Sequence, residues 1–369
     1  MPYCKKCILP STRPNLEIDS DGICNACKSS SSSNKQLINW LDREKDFKKL
    51  LIDNQTTSSW DCVIPVSGGK DSTWQVLKAL EYNLKPLCIT WKTPARNSLG
   101  LSNLENLISL GVDHIEFTVN PKIEKQFTKL AFIKKGIPLV PMHLAIYNLP
   151  IRIASNLNIP LVFYGENSAL EYGGDSKYHN FEITREWILK FGVNANTTAE
   201  DWISENLSEK DLTPYSYPKN IINPPKAVFL SNFFEWNVFI TRDLAIKNGL
   251  KIPELPQTGA HNFSDIDDDF LIGVHHWLKW YKFGFKRTWD NLSLEIREGK
   301  ITRDQAIDFL INEENSEIEN QQIIKFCKYI NITMGDFYEI ANKFRNKLIW
   351  EKNNNDWVIK DPLHPYLNI

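Results

Sequence analysis

From Trp60 onward the chain alternates short apolar runs with amphipathic stretches. Cys62-Val63-Ile64-Pro65-Val66 is apolar on both faces and runs into Ser67-Gly68-Gly69, the pattern of a buried parallel strand. Asp71 to Tyr82 then carries Trp74, Leu77, Lys78 and Leu80 at helical spacing. Pro86 to Trp91 reads as a second strand. Leu101, Leu104, Leu107 and Ile108 mark a second helix, with Gly111 where a C-terminal cap falls. His114 to Val119 reads as a third strand, followed by helical stretches over 122–135 and 140–157. Ile159 to Tyr164 gives a fourth strand that ends in Gly165-Glu166-Asn167. This alternation predicts an α/β fold with a doubly wound parallel sheet, and ligands at the carboxyl ends of its strands.

Beyond about residue 180 the strand signals fade. Segments 225–249, 265–285, 303–313 and 318–345 read as mainly helical and aromatic-rich, and Asn353-Asn354-Asn355-Asp356 marks a turn. At the other end, Cys4-x-x-Cys7 and Cys24-x-x-Cys27 are separated by 16 residues, and a serine run, Ser29 to Ser33, follows. A serine run has little to bury and behaves as a linker. The expected organisation is therefore a cysteine-stapled unit with its linker over 1–33, the parallel-sheet domain over 34–250, and a mainly helical region over 251–369. No internal repeat is visible.

Composition narrows the partners. With 43 basic and 45 acidic residues the formal charge is −2, which lacks the basic excess that phosphate backbones demand. No nucleic-acid partner is expected. No apolar run approaches the roughly 18 residues of a membrane span, and Met1 to Cys7 has no apolar signal core. The expectation is a cytoplasmic protein with no membrane partner. In a reducing compartment, cysteines serve as ligands or core thiols. The two CxxC pairs fit a closed Cys₄ site in which Cys4, Cys7, Cys24 and Cys27 hold a structural zinc; an iron–sulfur cluster is the alternative. Cys62, Cys88 and Cys327 lie in apolar stretches and read as core, with a reactive role left open for Cys88 near its strand end.

The chemistry is concentrated in Ser67-Gly68-Gly69-Lys70-Asp71-Ser72, between the first strand and the first helix. Two glycines let the backbone approach an anion, and the helix start offers unpaired N–H groups and a positive dipole end. Ser67 and Ser72 add hydroxyl donors and Lys70 a point charge. The Walker A spacing is absent. The six residues resemble the signature of the PP-loop (N-type) ATP pyrophosphatases. That resemblance implies cleavage of ATP between its α- and β-phosphates, with adenylylation of a carbonyl oxygen. It also implies Mg²⁺, ordered in part by Asp71. It places adenine against Thr90 and Trp91, and puts Gly165 and Glu166 beside the substrate or metal. Ordinary packing is the competing reading for Thr90 and Trp91.

Further motifs refine the resemblance. They are Tyr3-Cys4-x-x-Cys7 with Pro10 to Pro14, Gly165-Glu166-Asn167 with Glu171-Tyr172-Gly173-Gly174, Phe233-Phe234-Glu235-Trp236, Tyr281 to Phe285 with Arg287, and Ile301-Thr302-Arg303. Taken together they resemble the bacterial N-acetyl sugar amidotransferases, which make acetamidino sugars for surface polysaccharides. The resemblance implies catalytic roles for Lys70, Asp71 and Glu166. Asn167, Glu171, Tyr172, Asn232, Glu235 and Trp236 are candidates for a sugar pocket. Lys282 and Arg287 are candidates for the phosphates of a nucleotide-linked sugar, or are exposed helix charges. No glutaminase motif is present, so ammonia is expected from a separate glutaminase subunit through a synthase-like partner. A PP-loop tRNA thiolase is the rival enzyme. His275-His276 reads as structural, because adjacent residues do not share a helix face. Asp265-Ile266-Asp267-Asp268-Asp269 reads first as a solvated helix start, where acids suit the dipole, with a functional role left open.

Overall fold

The computed structural model describes residues 1–30, 38–174, 182–219, 223–313, 317–354 and 356–364. Five parallel strands form its centre: β1 (Cys62–Pro65), β2 (Pro86–Trp91), β3 (Asp113–Phe117), β4 (Leu161–Tyr164) and β5 (Lys226–Phe229), in the order β3-β2-β1-β4-β5. The register pairs Cys62 with Pro86 and with Leu161 on its two sides, and Leu161 with Lys226. Growth of the sheet therefore reverses between β1 and β4, which is where a doubly wound sheet opens a crevice.

Strand side chains alternate between two cores, as the pleat requires. Val63, Leu87, Ile89, Val162 and Phe229 face one core. Helices α5 (Pro121–Lys135) and α6 (Val140–Asn156) close it with Phe127, Leu144 and Leu149. Cys62, Ile64, Cys88, Phe163 and Val228 face the other core. There they meet Phe47 of α2 (Trp40–Asp53), Trp74 of α3 (Lys70–Glu81) and Leu104 of α4 (Ser98–Ile108). Cys62 and Cys88 are fully buried, and burial pushes the Cys88 thiol up to about 12, so both are core residues.

Three sequence expectations are corrected. The stretch 225–249 begins with strand β5 before helix α9 (Val238–Lys247). A buried four-residue run is too short for periodicity to separate strand from helix. Segment 318–345 is two helices, α13 (Glu317–Ile330) and α14 (Met334–Lys343). They are broken at Asn331, whose φ is 55°, and the second is restarted by a Thr333–Asp336 capping box. Segment 265–285 becomes helical only at α10 (Leu271–Phe283). Helices α2 and α11 (Arg287–Arg297) were not anticipated, nor was the hairpin β6 (Trp350–Asn353) with β7 (Asp356–Ile359) around the expected turn. Ser31 to Ser33 of the expected linker lie outside the described residues.

The cysteine unit does not stand apart. Ile8, Leu9 and Leu16 share a core with Phe285, Trp289, Leu292 and Leu310, the last from α12 (Arg303–Ile311). Arg303 Nε donates to the carbonyls of Cys4 (3.4 Å) and Cys7 (3.0 Å). The helical region packs on the sheet domain through Phe132 of α5, stacked on Phe337 at 5.2 Å and edge-on to Phe326 at 5.3 Å.

The start of α4 carries the segment that closes the crevice. Asn97 caps α4 through the N–H of Gly100, its side chain donates to the carbonyl of Ile266, and its own N–H donates to the carbonyl of Asp267. A Cβ on Gly100 would stand 2.6 Å from Asp267 Cβ and 2.7 Å from its Cα. Gly100→Ala is therefore expected to cost about 1–3 kcal/mol by overpacking against backbone. Gly335→Ala, whose nearest neighbour would be Thr333 Oγ1 at 3.6 Å, should be neutral or slightly stabilising. Denaturant melts of the two variants check the contrast; equal stabilities would show that the 261–270 segment yields freely.

Candidate active site at the carboxyl end of the sheet

The crevice at the β1/β4 switch opens into a cavity of about 390 Å³. Its floor is the loop expected to bind phosphate. Gly68 adopts φ 93°, and a Cβ there would meet the backbone N of Leu104 at 2.5 Å, so only glycine lets the loop turn against α4. Ser72 Oγ accepts the N–H of Gly68 (3.2 Å) and donates to the carbonyl of Gly69 (3.0 Å), while Ser67 Oγ accepts the N–H of Gly69 (3.3 Å). Gly69 caps α3 without a side chain, which leaves the helix start directed at whatever fills the cavity. Ser67, Gly69, Lys70, Asp71 and Ser72 all line the cavity.

Lys70 is buried to 7% exposure and its Nζ lies 2.5 Å from Asp71 Oδ2. Trp236 stands behind the pair: its indole N–H donates to Asp71 Oδ1 at 3.1 Å, and Lys70 Nζ lies 5.5 Å over its ring. Both charged groups are thus held in one orientation, with a cation–π contact and two hydrogen bonds. At the end of β4, Gly165 leaves room for Gln75, whose amide a Cβ would meet at 2.6 Å. Glu166 enters the cavity, and its pKa is raised to about 8, first by burial and then by the Asp71 charge, against a lowering by Lys70.

The remaining candidates sort by position. Trp91, Tyr172 and Arg287 line the cavity. Thr90 does not: it is buried, donates to the carbonyl of Val66 at 2.7 Å and pins the end of β2 to that of β1. Asn167 is buried and caps the short helix α7 (Ser168–Glu171) through the N–H of Ala169. Glu171 and Asn232 stand outside the lining, and Glu235 is exposed. Trp236 reaches the site only through Lys70 and Asp71. Lys282 faces the other way and donates to the carbonyl of Lys135 at 3.1 Å, because its place on α10 points it at the end of α5.

The acidic run is the main correction. It is not a solvated helix start: Asp265, Asp267 and Asp268 all line the cavity, and Asp268 is 3% exposed. Asp268 caps α10 from inside, accepting the N–H groups of Phe270 and Ile272, and also accepts from Thr93. Arg96 joins the two sides of the crevice, donating to the carbonyl of Ser67 at 3.3 Å and bridging to Asp268 through backbone. Arg96 and Thr93 were not read from the sequence, since nothing local distinguishes them from ordinary loop residues. The aspartates were visible as a run, but their burial was not.

Opposite the loop, a buried ion network holds the wall. Asp290, 1% exposed, accepts from Arg13 (2.9 Å) and Lys279 (2.9 Å), and Arg287 stands at 4.0 Å. Arg287 Nε is 3.0 Å from Asp265 Oδ2, and His276 Nε2 is 3.5 Å from the same oxygen. Burial works to raise both carboxyls, yet the cations hold them well below the usual carboxylate range. Arg13, from the cysteine unit, also donates to the carbonyl of Tyr172 at 2.9 Å and covers its ring at 5.1 Å.

The four cysteines meet in space. All four are buried, their sulfurs lie within 4.8 Å of one another, and Cys4–Cys27 and Cys7–Cys24 are both 3.9 Å apart. Tetrahedral zinc with Zn–S bonds of about 2.3 Å requires sulfurs roughly 3.8 Å apart, so the residues fit a Cys₄ zinc. Backbone N–H groups of Cys7 and Cys24 point at Cys4 Sγ, and that of Cys27 at Cys24 Sγ, as thiolates require. Among the described residues no other group of three or more candidate ligands comes this close. Magnesium needs no such cluster, because one or two carboxylates plus phosphate oxygens suffice; Asp71 and Glu166, which both line the cavity, are the residues that could hold it.

Sheet topology, loop and cysteine unit together define an α/β chain: a doubly wound parallel sheet with an N-terminal four-cysteine cluster and a mainly helical C-terminal region. The C-terminal region is assigned more closely. Residues 259–363 match the family model described as LPS biosynthesis protein WbpG-like, C-terminal domain, and over that region the chain is similar to that family. The NMN synthetase from Francisella tularensis is a similar solved structure, at 13% identity and TM-score 0.33, over 80% of this chain and 94% of that one. A comparison with curated proteins gives no match. Among the described residues no helix is long and apolar enough to cross a membrane.

Two outcomes are expected. Cys24→Ser should lower bound zinc, read by elemental analysis, and reduce the melting temperature. Arg13→Ala should keep the metal yet cost about 2–3 kcal/mol by exposing Asp290 to an incomplete set of partners; retention of both stability and zinc in both variants would contradict the assignment. The second outcome concerns pH. Glu166 is raised to about 8 from an ordinary 4.5, so the unfolded chain releases this proton first and stability falls as pH rises between those values. Glu124 and Asp268, both raised to about 7 by burial, act in the same direction. The buried His143, His275 and His276, all lowered by burial, oppose this trend below their ordinary value of 6.5. Thermal melts from pH 7 to pH 8 without Mg²⁺ should therefore show the decline, and Glu166→Gln should flatten it in part. An unchanged slope in that variant would mean that Glu166 ionises normally.

Proposed function

We propose that this chain is an ATP-dependent amidotransferase of lipopolysaccharide or related surface-polysaccharide synthesis. Its acceptor is an N-acetyl sugar. The acetamido oxygen attacks the α-phosphorus of ATP, the bond to the β-phosphate bridge breaks, and pyrophosphate leaves. Ammonia then adds to the activated carbon, AMP departs with the former acetamido oxygen, and loss of a proton leaves an acetamidino group. An acetamide is a poor electrophile because its oxygen leaves badly, and adenylylation is what makes it leave.

The observation that carries this reading is the Ser67–Ser72 loop opening at the sheet's switch point onto a cavity whose far wall comes from the WbpG-like region. Lys70 and the free N–H groups at the start of α3 are placed to hold the phosphates, and their charge stabilisation is the larger part of the catalysis proposed. Asp71 and Glu166 would hold Mg²⁺ there, which neutralises phosphate charge when bound. Tyr172 and Arg287 offer contacts to the acceptor. Ammonia is proposed to come from a separate glutaminase subunit through a synthase-like partner. A tRNA thiolase is disfavoured: Cys62 and Cys88 are fully buried with raised thiol pKa values, and among the described residues no cysteine lines the cavity.

With Mg-ATP, ammonium and a panel of N-acetylated sugars, the protein should release AMP and pyrophosphate in a sugar-dependent manner, and mass spectrometry should find oxygen replaced by NH. Lys70→Ala is expected to lower kcat/KM by about 10²–10³-fold. ADP as the product, or AMP without an altered sugar, would overturn the proposal.

A further inference from the structure

A second and larger cleft, about 780 Å³, lies wholly within residues 258–358 and so within the WbpG-like region almost to the residue. Its walls are α10, the start of α11 and the C-terminal hairpin. Arg287 lines both this cleft and the cavity of the phosphate loop. His276 lines the cleft and meets Asp265, which lines the cavity. Asp265, His276 and Arg287 are therefore the partition between two spaces.

The chemistry of the cleft is unlike that of a packing defect. Trp277, Trp280, Tyr281, Trp350 and Trp357 present aromatic rings to it. Arg345 is held among three of them, 3.8 Å from the centroid of Tyr281, 4.7 Å from Trp350 and 5.0 Å from Trp357. Its side chain hydrogen-bonds Asn342 and Tyr281, and among the described residues no salt bridge joins it to a carboxylate. A half-buried guanidinium fixed by aromatic faces, with no carboxylate paired to it among the described residues, is a ready site for an anion. Lys286 and Arg287 add positive charge along the same wall, while Glu313 and Glu319 offer hydroxyl acceptors. Aromatic faces cover the C–H faces of pyranose rings, carboxylates accept sugar hydroxyls, and arginine binds phosphate.

We propose that this cleft holds the acceptor as a saccharide bearing a phosphate group, with Arg345 on the phosphate and the reacting acetamido group directed at the Arg287 partition. This rests on the sugar-activating reading above and deepens it. It divides the labour between the two halves of the chain: the sheet domain's cavity takes the nucleoside triphosphate, and the C-terminal region takes the acceptor. A cavity of about 390 Å³ lies at the small end of the roughly 300–1,000 Å³ usual for one ligand, so two substrates call for a second space.

The test uses the full chain with its metal. N-acetylglucosamine 1-phosphate, UDP-N-acetylglucosamine, free N-acetylglucosamine and inorganic phosphate serve as probes, read by calorimetry and saturation-transfer NMR. The two phosphorylated sugars should bind more tightly than the free sugar. Arg345→Ala should weaken them by about tenfold or more, as loss of a charge-assisted contact does, with ATP affinity unchanged. Glu319→Gln, which keeps the shape of the cleft, should weaken all three sugars and leave phosphate untouched, so a folding defect in the arginine variant does not decide the matter. In turnover, both variants should raise KM for the sugar and leave KM for ATP. Tighter binding of the UDP-sugar than of the sugar phosphate identifies a nucleotide-linked acceptor; equal binding identifies the sugar phosphate alone as the recognised unit. Binding of none of the probes, or competition of the sugars by ATP with no effect of either variant, overturns the cleft. Cleft binding without AMP release would sink the proposed activity and leave the cleft standing. Sugar-dependent AMP release with normal KM in both variants would do the reverse.

Discussion

Burial of one carboxylate, Asp290, organises the molecule. It sits at 1% exposure with Arg13 and Lys279 each at 2.9 Å and Arg287 at 4.0 Å. The three cations come from the cysteine unit, from α10 and from α11. A buried ion survives only when its partners are in place, so the carboxylate ties these pieces together more firmly than any one pair on the surface would. Arg13 extends the tie to Tyr172 and Arg287 extends it to Asp265, both on the cavity wall. The four-cysteine unit is therefore part of the wall of the cavity through Arg13, although its sulfurs do not line the cavity.

On the other side of the crevice the constraint is steric. Gly68 turns under α4 where a Cβ would strike Leu104, and Gly100 lets the acidic segment lie on the same helix. Two glycines thus set the separation of the phosphate loop from Asp265, Asp267 and Asp268. Arg96 spans that separation, from the carbonyl of Ser67 to the backbone of Asp268. The cavity is consequently bounded by opposite charges on both faces: Lys70 with Asp71 and Glu166 on one, Arg287 with the aspartates on the other. Such a space suits a substrate that is itself strongly anionic and arrives with a divalent cation.

Local chemistry was legible in the chain. Ser67 to Ser72 lies between a strand and a helix as its pattern implies, because glycine, serine and lysine there act through backbone geometry and charge over six neighbouring residues. The four cysteines meet because each CxxC pair bends on itself and the two turns face each other. Four of the five strands were likewise evident, β1, β2 and β4 from buried apolar runs and the largely exposed β3 from its place in the alternation of strands and helices. Thr90, Asn167 and Lys282 are not placed by motif position alone: hydrogen bonds to Val66, Ala169 and Lys135 hold them outside the cavity lining.

Sequence by itself determined the parallel sheet, the glycine-rich loop at its first strand and the two cysteine pairs, since each is specified by residues close together in the chain. Tertiary structure alone decided that Asp265, Asp267 and Asp268 face the cavity, that Arg13 reaches Asp290 across 277 residues, and that Trp280, Arg345 and Trp357 share one cleft. A run of aspartates has the same pattern whether solvated or buried. What distinguishes the two cases is the arrival of cations from distant segments, and that arrival is a property of the packed chain.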